Sequence, residues 1–184
     1  MGRLHGIWRA LRWLALIAGL AIAAGAAWAA PAHVDEHVAG ARLAGKGTFT
    51  FFALKIYDAE LWVGPQGYQE GAPFALELRY ARKLDGLKIA DASAEQMEKN
   101  GAGTAAQRKA WLGTMREIFP DVRDGSRITG VNVPGVGALF YLDGKLLGSV
   151  PDVQFARAFF GIWLGTSTTA PALRKALLAK GAPQ

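Results

Sequence analysis

Two phenols and a guanidinium are the residues whose types and spacing most readily suggest chemistry: Tyr57, Tyr80 and Arg82. Each tyrosine falls in a run whose apolar residues recur with period two, and Arg82 follows Tyr80 by one pleat. On a sheet, that spacing can aim hydroxyls and a guanidinium at the anionic or carbonyl end of a ligand in an apolar cleft. The same spacing also suits a packed core, with the tyrosine hydroxyls satisfied internally and Arg82 solvated at a strand end. Other constellations are weaker. The run Gly40-Ala41-Arg42-Leu43-Ala44-Gly45-Lys46-Gly47 approaches a phosphate loop. However, Gly47 stands where Ser or Thr should follow the lysine, and a strand pattern comes next where the anion needs a helix N-terminus. His33 and His37 are four apart, beside Asp35 and Glu36, but a defined metal site takes three or four positioned ligands. The chain has no cysteine, so thiol catalysis, disulfides and cysteine metal sites are excluded. None of Ser93, Ser126, Ser149 and Ser167 lies in a Gly-x-Ser-x-Gly run, and no histidine follows His37. A Ser–His hydrolase would therefore lack its base. No cofactor and no metal are expected.

Residues 1–29 read as an address. Arg3, Arg9 and Arg12 give a positive start, an apolar run extends from Leu14 to Trp28, and Ala27-Trp28-Ala29 supplies small residues for a cleavage site. The expected cut follows Ala29 and leaves a chain beginning Ala30-Pro31. The competing reading is an uncleaved anchor, because Trp13 to Ala30 nearly reaches the roughly 20 apolar residues of a spanning helix. The small-residue ending favours cleavage, hence export across the inner membrane to the periplasm with no stable membrane span afterwards. Losing three arginines lowers the formal charge from +6 to +3, too mild a balance to argue for nucleic acid. The remaining chain, about 155 residues, suffices for one domain with a real core, expected as a monomer.

Residues 30–40, with Pro31, two histidines and two acids, read as a flexible lead-in to a single domain over 41–184. Strand patterns follow. Thr48 to Phe51 alternates; Lys55 to Val63 puts Tyr57, Ala59, Leu61 and Val63 on one face and Ile56, Asp58, Glu60 and Trp62 on the other; Phe74, Leu76, Leu78 and Tyr80 line a third strand. Helical spacing is expected over Asp85–Lys99 and Ala105–Phe119, the second ending at Pro120. A meander comes next: Arg127–Val133, a Pro134-Gly135 turn, Val136–Leu142, an Asp143-Gly144 turn and Lys145–Val150. Helices over Val153–Leu164 and Ala170–Leu178 complete the chain. The first of these is interrupted in its apolar run only by Gln154 and Arg157, so it must bury most of its circumference. The result is an α+β unit, an antiparallel sheet with helices layered on one face.

The order and spacing of several short runs resemble the chalcone isomerase-like domains of bacteria, an exported branch of the chalcone isomerase family. These runs are Gly45-x-Gly47, Lys55-Ile56-Tyr57-Asp58-Ala59-x-Leu61, Leu78-x-Tyr80-x-Arg82 and Pro120-Asp121-Val122 before Gly125. They continue with Gly144-x-x-x-Gly148, Phe155-Ala156-x-Ala158-Phe159-Phe160-x-Ile162-Trp163-Leu164-Gly165 and Pro171-x-Leu173-Arg174. The resemblance implies an open-faced sandwich with a ligand cleft between sheet and helices. Plant enzymes of the family close a flavonoid ring by adding a phenolate oxygen to an enone, and non-catalytic relatives bind fatty acids. Both carry an Arg two residues after the Gly-x-Gly that holds the ligand's anionic group; here that position is Phe49. The Thr of catalytic relatives aligns with Tyr57, and Leu84–Ala94 contains no counterpart of their catalytic Tyr. A ring cannot replace a guanidinium fork. The expectation is therefore a small apolar or amphipathic ligand, such as a fatty acid, bound without turnover by Tyr57, Tyr80, Arg82 and Phe49. The alternative is an isomerase, an intramolecular lyase acting on an enone or phenolic substrate. A structural envelope protein with a filled core is a third class.

Overall fold

The alternating runs become six strands: β1 (Arg42–Phe51), β2 (Leu54–Val63), β3 (Phe74–Tyr80), β4 (Arg127–Val133), β5 (Gly137–Leu142) and β6 (Lys145–Val150). They form one antiparallel sheet in sequential order. The computed structural model describes residues 29–179, so the leader expected over 1–29 lies, but for Ala29, outside the described residues. Among the described residues no helix is long and apolar enough to cross a membrane. Register carries the apolar face of each strand onto that of the next: Tyr57 opposes Tyr80, Leu61 opposes Leu76, Leu78 opposes Ile128 and Gly130 opposes Phe140. Because side chains alternate across a strand, this one register commits the whole face to the core.

Four helices cover that inner face: α2 (Gly86–Lys99) and α3 (Ala105–Ile118) between β3 and β4, then α4 (Val153–Leu164) and α5 (Pro171–Leu177) after β6. Each begins on a local signal. Asp85 accepts from Leu87 N, Thr104 and Gln107 form a reciprocal capping box, Asp152 accepts from Gln154 N and Phe155 N, and Pro171 sits in the first turn of α5. Asp152 also accepts from Trp111 Nε1 at 2.9 Å, which ties α3 to the start of α4. In α4, Phe155, Phe159, Phe160, Ile162 and Trp163 are all buried, as expected for a helix apolar nearly all round. Their rings interlock with Phe119 and Phe140 at centroid distances of 5.0–6.1 Å, mostly edge to face.

The Gly-x-Gly of β1 has a packing cause. A Cβ at Gly45 would run into the carbonyl oxygens of Ala176 and Leu177, and one at Gly47 would meet Leu173 Cδ1, so both glycines admit α5 onto the strand. The β1–β2 turn is less expected. Phe51 pairs with Leu54, leaving Phe52 and Ala53 as a two-residue loop with φ of 47° and 62°. Positive φ at both positions belongs to the type I′ hairpin that Asn-Gly would normally fill. The Phe52 ring is 86% exposed.

The lead-in expected to be flexible over 30–40 is corrected by the structure. Ala32–Asp35 is a helical turn, α1, packed on the other sheet face. Val34 and Val38 are buried there with Trp62, Ala75, Val131 and Tyr141. His33 Nε2 lies 3.1 Å from Thr129 Oγ1, and His37 Nε2 lies 2.7 Å from the Tyr141 hydroxyl. The cause is two valines four residues apart, which share a helical face and make a small apolar contact amid polar neighbours. The folded unit therefore takes in residues assigned to the lead-in.

Candidate functional site

β1, β2 and β3 bring three of the four expected ligand contacts together. The Phe49 ring stacks on Tyr57 at 5.2 Å and 18°, and Tyr57 meets Tyr80 edge to face at 5.9 Å. The partner that sequence reasoning missed is Trp163 of α4, whose Nε1 donates to the Tyr57 hydroxyl at 2.9 Å. Its position in the apolar helix marked it only as core. Burial pushes the Tyr57 phenol up to about 12, against the opposing pull of the Trp163 hydrogen bond. Burial, with Tyr57 adding to it, pushes Tyr80 higher still. Both phenols are neutral at ordinary pH, suited to hydrogen bonding rather than to exchanging protons. Arg82 lies just beyond β3 and makes no ring contact with this cluster among the described residues. Its Nε is buried without a hydrogen-bond partner among the described residues.

The open space lies elsewhere along α4. A cleft of about 610 Å³ runs between α4, α5 and the β3–β4 end of the sheet. Its apolar wall is Tyr68, Phe74, Phe160 and Leu164, with Tyr68 against Phe74 at 5.2 Å and Phe74 against Phe160 at 4.9 Å. A smaller cleft of about 330 Å³ shares Gly161, Gly165 and Arg157 with it. Gly161 keeps the ridge between them low, and a Cβ there would meet only open space. Phe49, Tyr57, Tyr80 and Arg82 line neither cleft.

Two guanidiniums reach the larger cleft. Arg157 pairs with Glu70 at 2.6 Å, with both side chains mostly in solvent, so that pair holds little energy. Arg174 of α5 is better placed. Its Nε donates to Leu164 O at 2.8 Å, which fixes the plane of the fork, and its terminal nitrogens make no hydrogen bond among the described residues. Tyr68 stands nearby, its phenol pushed up to about 12 by burial and by Glu70, with Arg174 pulling the other way. An apolar trough with an oriented, uncommitted guanidinium and a neutral phenol can hold a carboxylate or phenolate at one end and hydrocarbon along its length. Arg174 was legible only as part of Pro171-x-Leu173-Arg174. Leu173 and Leu177 mark the buried side of α5, which sets Arg174 beside it.

His33 and His37 are engaged with Thr129 and Tyr141, and no group of three or more His, Cys, Asp or Glu is placed to hold a metal among the described residues. In comparisons with known proteins, a family model described as chalcone isomerase-like matches residues 24–179. A solved structure of a fatty-acid binding protein from Arabidopsis thaliana is similar at 13% identity, covering 76% of this chain and 87% of that one, with a TM-score of 0.60. At that identity the likeness is one of fold. No curated protein matches the sequence.

Proposed function

The chain belongs to the chalcone isomerase-like family, and on that footing we propose that it captures a small amphipathic anion, of the fatty-acid kind, without transforming it. The observation that carries this reading is the apolar cleft of about 610 Å³ with the Arg174 fork at its polar end. That size falls in the range of about 300–1,000 Å³ typical of small-molecule sites. Turnover has less support. An intramolecular lyase would need a group poised to move a proton near neutral pH. The buried phenols Tyr57 and Tyr80 are shifted away from that range. Export of the chain, with residues 1–29 as a removable leader, belongs to the same proposal, and the N-terminal sequence of protein recovered from a periplasmic fraction tests it.

A second reading keeps the ligand at the ring cluster, with Arg82 as its anchor; the buried Arg82 Nε, without a partner among the described residues, favours it. Fluorescent fatty-acid displacement separates the two. If the cleft beside α4 is the site, Arg174→Ala weakens binding about tenfold or more, the worth of one charge-assisted hydrogen bond. Gly161→Leu then blocks the cleft, while the double variant Tyr57→Phe, Arg82→Ala leaves affinity unchanged. The opposite pattern moves the site to the ring cluster. Binding indifferent to all of these, or no binding by the parent protein, ends the proposal. Measurable cyclisation of a chalcone above the uncatalysed background would put the isomerase first.

A further inference from the structure

The outer face of the sheet carries a polar cleft that the function above does not use. It occupies about 660 Å³ and is lined by Lys46, Asp58, Glu60, Trp62, Glu77, Arg79 and Arg127, with Ala29 and Pro31 along one side. Register arranges its charges in rows across the strands. Glu60 stands directly opposite Glu77, and one pleat along, Arg79 stands directly opposite Arg127. Like charges facing each other across a strand pair are unfavourable unless something lies between them.

Part of this lattice is satisfied internally. Glu77, only 4% exposed, accepts from Arg127 Nη1 and from the Thr129 hydroxyl, each at 3.2 Å. With the Thr129 proton given to Glu77, His33 Nε2 must be the donor in its contact with Thr129. Three groups have no hydrogen-bond partner among the described residues. Glu60 makes no hydrogen bond among the described residues, and burial, with the charge of Glu77 beside it, pushes its carboxyl above the usual range against the pull of Lys46, opposite it on β1, and of Arg127. Arg79 makes no hydrogen bond or close ion pair among the described residues, though Asp58 stands directly opposite it on β2 and feels its charge. Trp62 is 2% exposed, lines the cleft, and has its indole N–H buried without a partner among the described residues. A buried, unpaired donor is a specific vacancy for an acceptor.

From this arrangement we infer that the outer cleft binds a small zwitterion with a neutral carbonyl, a dipeptide, on the sheet face opposite the cleft beside α4. The ammonium sits between Glu60 and Glu77 and relieves their repulsion. The carboxylate reaches Arg79, one pleat or about 6.7 Å along the strand. The peptide carbonyl, one carbon from the ammonium, accepts from the indole of Trp62, the neighbour of Glu60 on the same strand face. The three requirements are independent, which makes the site selective for molecules carrying all three groups.

Glycylglycine is the probe, with N-acetylglycine lacking the ammonium and glycinamide lacking the carboxylate. Binding is followed by calorimetry and by the indole N–H resonance of Trp62, identified by its loss in Trp62→Phe. Glycylglycine moves that resonance, and the two controls bind at least about tenfold more weakly. Glu60→Gln and Arg79→Gln each lower affinity for glycylglycine by a similar factor at an unchanged melting temperature. Equal responses to all three compounds, no response to any, or indifference to both variants overturns the proposal. If protein beginning at Ala30 is blind to glycylglycine but responds once its α-amino group is acetylated, the chain's own terminus fills the row, and the free-ligand site is equally refuted.

Discussion

Replacing Tyr57 by Phe tests whether this tyrosine is a strut of the core or a contact for ligand. The hydroxyl takes the indole proton of Trp163, a residue only 6% exposed, so its removal strands a buried donor. An orphaned group of this kind costs about 1–3 kcal/mol. In a double-mutant cycle with Trp163→Phe, the hydrogen bond itself appears as a coupling of about 0.5–1.5 kcal/mol. The pH dependence supplies an independent check. Tyr57 titrates from 10.0 in the open chain to about 12 when folded, so the native state resists its ionisation. A raised folded value means that this contribution is whole below pH 10 and lost as the pH climbs towards 12. Two pH units correspond to about 3 kcal/mol. Urea unfolding of parent and Tyr57→Phe should therefore show the parent ahead at pH 7, with its lead shrinking steadily above pH 10. Tyr68 titrates alike in both proteins and cancels in the difference, whereas Tyr80 loses in the variant the part of its upward push that comes from Tyr57. A variant within about 0.5 kcal/mol of the parent at pH 7 and parallel to it above pH 10 would refute the reasoning, and Tyr57 would then be free to serve a ligand.

Three further outcomes follow from the geometry. Placing Asn-Gly at Phe52 and Ala53 removes left-handed strain of about 1–2 kcal/mol per ordinary residue, so the melting temperature rises by at least about 2 °C. Val34→Ala, read in urea, destabilises the protein by about 1–3 kcal/mol, since Val34 is wholly buried; a neutral result would restore a loose lead-in. His33 is held below its usual 6.5 by burial and by His37, so its contribution is present above pH 6.5 and lost as the pH falls below it. His33→Gln should flatten the stability profile between pH 7 and 5.

Most of the sheet and all the longer helices could be read from the chain, because period-two runs, helical spacing, Pro120 and Asp143-Gly144 are local signals. Tyr57, Ala59, Leu61 and Val63 share the inner face, and Trp62 lies on the other, as their alternation requires. What escaped was information held between distant residues. The Phe52-Ala53 turn contains no glycine or asparagine, so composition does not announce it. The α1 turn rests on two valines, too few for a periodic signal. Arg127 reaches Glu77 from a strand 50 residues away, a meeting that exists only once the register is known. The candidate site divides the same way: Phe49, Tyr57 and Tyr80 do converge, but Trp163 joins them from α4, and the open trough by Arg174 depends on how α4 and α5 lie along the sheet.

The docking of α1 also sets a leash. Val34 is anchored in the outer cluster five residues after Ala29, and five residues pulled straight reach no further than about 18 Å. The headgroup layer on one side of a bilayer already takes about 5–8 Å of that. If the leader stayed embedded, the domain would ride almost flush with the lipid, outer face down and the Glu60–Arg79 rows shaded from bulk solvent. Cutting after Ala29 would then do more than set the protein adrift: it would uncover that face to the surrounding fluid.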